Sequence, residues 1–139
     1  MLNSAYPITA LPATLRPPIT PLTTTLSPRK LILFEAMDEY GRLKPMLGTF
    51  EDGVLPYHHP VTENPALNST EIWEIYNETM DAHPIHLHQV AMQLLSRQKF
   101  TATVDPVNGK PTGVKLAGKP KAAPADEAGM ERYICDVPR

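Results

Sequence analysis

His83-Pro84-Ile85-His86-Leu87-His88 is the stretch that decides how this chain is read. Three of the five histidines fall within these six positions. Imidazole is the commonest biological metal ligand, and no other stretch has this density of coordinating groups. Pro84 pushes His83 out of the helical region, which favours extended backbone. Side chains on extended backbone alternate, so His86 and His88 share one face and His83 takes the other. One short segment can then serve two metal sites. The four-residue spacing of a helical His-Glu-x-x-His site is absent. A structural histidine, or a chance His-x-His pair on a strand, is the competing reading. Three histidines around a fixed proline favour the metal.

Working outward, Thr70 to Asn77 (TEIWEIYN) is the clearest strand. Trp73 and Ile75 lie on one face, and Ile72, Glu74 and Tyr76 on the other. Asn77 to Asp81 makes a turn into the histidines, and Val90 to Leu95 is expected to continue as a strand. A strand, a short polar loop and a metal-loaded strand suit a β-sandwich with its site at one end. Further upstream, Arg29 to Ala36 (RKLILFEA) carries the apolar run Leu31 to Phe34 of a core strand. Asp38 to Arg42 is a turn, Leu43 to Phe50 a shorter strand broken by Pro45 and Gly48, and Glu51 to Gly53 a second turn. His58 and His59 are adjacent, so at most one could join a given site. A loop or pocket-rim role is expected for them. Thr62 to Asn68 reads as a polar loop.

Beyond Phe100 the pattern decays into glycines, prolines and lysines. Residues 101–129 are expected to be a long surface loop or a disordered tail. Met130 to Val137 (MERYICDV) starts another strand. Residues 1–28 hold six of the 16 prolines and read as a connector, an arm on another surface, or plain disorder.

The length of 139 residues suits one domain. The net charge of −2 gives no basic footprint for nucleic acid and no polybasic membrane patch. No stretch reaches the length of a membrane span, and no signal peptide is recognised. A single cysteine, Cys135, rules out an internal disulfide framework. Asn68 and Asn77 begin sequon tripeptides, which carry meaning only in a secretory context.

HPIHLH, preceded by EIWEIYN and followed by QVAMQLLSRQKF, resembles the third cupredoxin domain of the multicopper oxidases. The likeness is to the branch of bacterial spore-coat laccases and bilirubin oxidases. It extends upstream through LRPPITPL, RKLILFE, MDEYGR and PVTENP, covering roughly residues 11–139. The resemblance implies an all-β fold, a partial cupredoxin-like Greek-key β-sandwich over 29–139 with a proline-rich extension over 1–28. It implies copper as cofactor. His83 would be a ligand of the type 1 copper, His86 of the type 2 copper and His88 of a type 3 copper. It also implies a small-molecule electron donor and dioxygen as substrates of the parent oxidase and the remaining oxidase domains as partners. Members of that family are often spore-coat, periplasmic or extracellular, but the compartment of this chain is not readable from its sequence.

The family also needs a His-Cys-His motif, whose thiolate makes a His₂Cys blue site with a weak axial ligand. Cys135 stands in Tyr-Ile-Cys-Asp-Val with no neighbouring histidine, so it is not assigned as that thiolate. No histidine follows His88. The chain is therefore expected to be a truncated oxidase piece, inactive by itself, with uncovered edges and core. Two other readings stand beside it. One is a stand-alone β module binding a single copper or zinc. The other is a subunit that completes its copper sites with a partner chain. A cupin is disfavoured, because its later histidine is missing.

Overall fold

A computed structural model describes residues 22–90 and 92–121 in full and the backbone of 131–137. Its strands are β1 (Arg29–Met37), β2 (Leu43–Thr49), β3 (Gly53–Leu55), β4 (Glu71–Asn77), β5 (Gln93–Val104), β6 (Pro111–Lys121) and β7 (Glu131–Val137). They form one hydrogen-bonded sheet in the order β3-β2-β1-β4-β7-β5-β6. The fold is all-β, as expected. No helix among the described residues is long and apolar enough to cross a membrane.

The alternation within β1 and β4 builds two apolar faces. Leu33, Trp73 and Ile75 meet on one; Ile32, Tyr76 and Phe100 meet on the other. Both strands lie inside the sheet, which explains why each carries apolar residues on both sides. β1 and β4 run parallel, with Leu31 opposite Ile75 and Leu33 opposite Asn77. The second face closes on itself: the Tyr76 ring lies 4.8 Å from Phe50 and 5.2 Å from Phe100, centre to centre. The β1–β2 turn is tied by Asp38, whose Oδ1 accepts the Tyr40 and Arg42 amides, both at 2.9 Å.

β7 decides the path of the histidine segment. It pairs antiparallel with both β4 and β5, filling the place between them. The connection from β4 to β5 cannot occupy that place and crosses the sheet face instead. Ile85, Leu87, Val90 and Met92 pack there against the Leu33–Trp73–Ile75 cluster. The expected metal-loaded strand is thus corrected: residues 82–87 form no regular element and pair with no ladder, and His88–Gln89 form a turn. The expected strand from Val90 to Leu95 is corrected likewise, since regular pairing begins at Gln93, opposite Asp136.

The loop or tail expected over 101–129 is overturned for 101–121. β5 continues through Val104, and β6 pairs back along it. The turn is held by Asp105, whose Oδ1 accepts the Val107 amide at 2.8 Å and the Asn108 amide at 3.2 Å. The misleading prolines and glycines have a place because β6 is the edge strand. An edge tolerates residues without a donor. Gly113 and Gly118 take positive φ values of 61° and 66°, and the register shifts nearby. Residues 1–21 and 122–129, on which the remaining connector and tail expectations fall, lie outside the described residues.

Candidate metal centre

The histidine segment keeps the period of extended backbone without a ladder. His83, Ile85 and Leu87 are half-buried against the sheet, while His86 and His88 are exposed. The rings of His86 and His88 stand edge to face, 5.1 Å apart between centres. His83 turns to another set of groups. Its Nε2 lies 2.7 Å from Thr79 Oγ1 and 3.6 Å from Glu35 Oε1. One hexapeptide therefore presents imidazoles into two surroundings.

The turn before His83 is closely hydrogen-bonded around two buried residues. Asn77 is 1% exposed and Thr79 4%. Asn77 Nδ2 donates to the Asp81 carbonyl at 2.7 Å, and its Oδ1 accepts from the Thr79 hydroxyl at 2.8 Å. Sequence reasoning took Asn77 to Asp81 for an ordinary turn and missed both residues as partners of the site. Their Asn-x-Thr spacing was visible, but not its burial or its aim at His83. Glu35, on β1, was invisible for another reason: it reaches His83 only through the tertiary fold.

An apolar cleft of about 740 Å³ runs beside the segment. Leu33, Met46, Trp73 and Ile75 line it, together with His83 and His86. His59 also stands on its wall, with Nδ1 2.8 Å from the Pro60 carbonyl oxygen, whereas His58 does not line it. A loop or pocket-rim role is the expectation for both, and His59 lies on the cleft wall. Cys135 lies within β7, at a register position opposite Trp73 and Leu94.

Comparison with known proteins gives this arrangement its context. A family model described as multicopper oxidase matches residues 27–125. The chain belongs to the multicopper oxidase family. The matched unit is the family's C-terminal cupredoxin domain. The chain is 37% identical over 126 residues to a laccase of Bacillus stratosphericus, covering 87% of this chain and 23% of that protein. A laccase of Bacillus subtilis (strain 168) is 44% identical over 72 residues, 52% of this chain and 13% of that protein. Multicopper oxidase LPR1 of Arabidopsis thaliana is 56% identical over 34 residues, 24% of this chain and 6% of that protein. The chain thus spans less than a quarter of the length of these relatives.

Multicopper oxidases use copper, and the donors here fit that metal in kind. Imidazole nitrogen suits copper, and His83 has its Nε2 engaged by protein, as a metal-ligating histidine does with its other nitrogen. The number of donors does not close a site. Among the described residues no three His, Cys, Asp or Glu side chains converge on one point.

Proposed function

We propose that this chain carries the histidine copper-ligand segment of a multicopper oxidase. Residues 1–28 act as connector or arm, and 29–139 belong to the third cupredoxin domain. His83 would hold the type 1 copper, His86 the type 2 copper and His88 a type 3 copper. Bound copper would supply one-electron redox chemistry, with electrons drawn from phenolic, pigment or metal substrates and passed to dioxygen, giving water. The chain's own part is to hold the imidazoles apart. Ile85 and Leu87 anchor the segment on the apolar face and leave His86 and His88 exposed. The observation that carries this reading is the division of one hexapeptide between two surroundings.

Copper(II) titration followed by electron paramagnetic resonance tests it. The chain is expected to bind copper through imidazole nitrogen, and a variant with His83, His86 and His88 all changed to Ala is expected to lose that signal. Unchanged binding in the triple variant would sink the ligand assignment. The chain alone is expected to oxidise no phenolic substrate, and copper-dependent turnover would overturn that expectation.

The second reading, a subunit completing its copper sites with another polypeptide, is favoured by the cleft. Its apolar wall lies open beside His83 and His86. Adding a polypeptide that bears His-Cys-His should then produce a blue absorption absent from either component. The stand-alone single-metal module has less support, because no three donors converge among the described residues.

A further inference from the structure

We infer that Thr79, oriented by Asn77, is a positioning residue that fixes the tautomer of His83 and leaves Nδ1 as its only free donor atom. The hydrogen bonds determine where each proton lies. Asn77 Nδ2 donates to the Asp81 carbonyl at 2.7 Å, and the Thr79 amide donates to Asn77 Oδ1 at 3.1 Å. These two contacts set the amide orientation, so Oδ1 is an acceptor. Thr79 Oγ1 lies 2.8 Å from that oxygen and 3.0 Å from the Asp81 carbonyl oxygen. A hydroxyl has one proton, and these two close acceptor oxygens share it in a three-centre bond. The other side of Oγ1 is an acceptor, already approached by the Asp81 amide at 3.2 Å. His83 Nε2, 2.7 Å away, must therefore bring its own proton.

Glu35 makes the same assignment independently. Its Oε1 is 3.6 Å from Nε2. A carboxylate beside a ring lone pair is repelled, and beside an N–H it is attracted. Both contacts also hold the ring plane, since Nε2 is fixed between β1 and the turn after β4. Nδ1 then keeps the lone pair a metal requires.

The assignment matters for function only through the reading of His83 as a copper ligand, yet its test needs no metal. Two-bond proton–nitrogen NMR on the histidine-labelled chain, above the titration range of imidazole, reads the tautomer of each ring. Exposed His58 serves as the internal reference. His83 is expected to show an Nε2–H population well above that of His58. Thr79→Val should lower the tautomer ratio roughly fivefold, the worth of one ordinary hydrogen bond. Thr79→Ser, which keeps the hydroxyl, should restore it. A wild-type His83 protonated on Nδ1, or with the same ratio as His58, overturns the inference. So does a folded Thr79→Val with an unchanged ratio. If Thr79→Val does not fold, the wild-type ratio and Thr79→Ser decide. A fixed Nε2–H tautomer in a chain that binds no copper would refute the copper reading and leave this one standing.

Discussion

Arg29 and Glu71 join the matching ends of the two parallel strands at the centre of the sheet. Arg29 Nε lies 2.9 Å from Glu71 Oε2, and Nη2 lies 3.0 Å from Oε1. Glu71 Oε2 also accepts the Trp73 indole N–H at 3.0 Å, and the guanidinium carbon sits 5.8 Å from the Trp73 ring centre. The pair ties the start of β1 to the start of β4, the two strands that carry the apolar face on which the histidine segment lies.

The first prediction follows from that pair. The hydrogen bonds from Arg29 hold the Glu71 carboxyl below its ordinary range, against the opposing effect of burial, with help from Trp73. A depressed carboxyl contributes stability that is present above the unfolded value of about 4.3 and is lost as pH falls through the folded value. Glu71→Gln is expected to cost about 1–2 kcal/mol at neutral pH, because the pair is partly exposed to solvent. The difference between variant and wild type should shrink on acidification. Urea unfolding at several pH values checks this. A cost that stays constant down to strong acid would show that the carboxylate charge is not involved.

Glu78 gives the opposite sign. Both of its carboxylate oxygens are buried without a hydrogen-bond partner among the described residues, and burial raises its pKa to about 7. The folded chain then holds a proton that the unfolded chain releases near 4.3, so stability falls as pH rises between those values. Glu78→Gln should stabilise the protein by about 1–2 kcal/mol near pH 8, after allowance for incomplete burial. The gain should vanish below the unfolded value of about 4.3, where the carboxyl is neutral in the folded and the unfolded chain alike. Thermal melts of both proteins across that range decide it, and a gain independent of pH would refute the account.

Gly109 tests how the β5–β6 hairpin closes on β1. Its φ is +67°, and a Cβ added there would stand 2.7 Å from Cγ of the Phe34 ring. Gly109→Ala suffers both a left-handed backbone and a collision with a buried ring. A loss of about 2–3 kcal/mol is expected, compared with a few tenths for Lys110→Ala next to it. Equal effects at the two positions, by denaturant unfolding, would mean that this turn is not packed on Phe34.

Much of the strand pattern was legible because it is local. The alternation in TEIWEIYN placed Trp73 and Ile75 opposite Tyr76, and the structure puts them on opposite faces. Leu31 to Phe34 read as core, and Ile32, Leu33 and Phe34 are buried. The strand expected near the end of the sequence is present over Glu131–Val137, although its central position was not legible. The β5–β6 hairpin was illegible because glycine and proline mark loops by frequency alone. At a sheet edge the same residues are tolerated, and only the pairing order reveals an edge.

The sequence by itself determined the all-β class, the family and the three histidines of HPIHLH, because spacing and periodicity are properties of neighbouring residues. Tertiary structure decided what those histidines meet. β7 takes the ladder position beside β4, which forces the segment onto the sheet face. Glu35 is then brought to His83 from 48 positions away, 83 minus 35, by the parallel pairing of β1 with β4. Contacts at that separation arise from the packing of whole strands, and no local pattern encodes them.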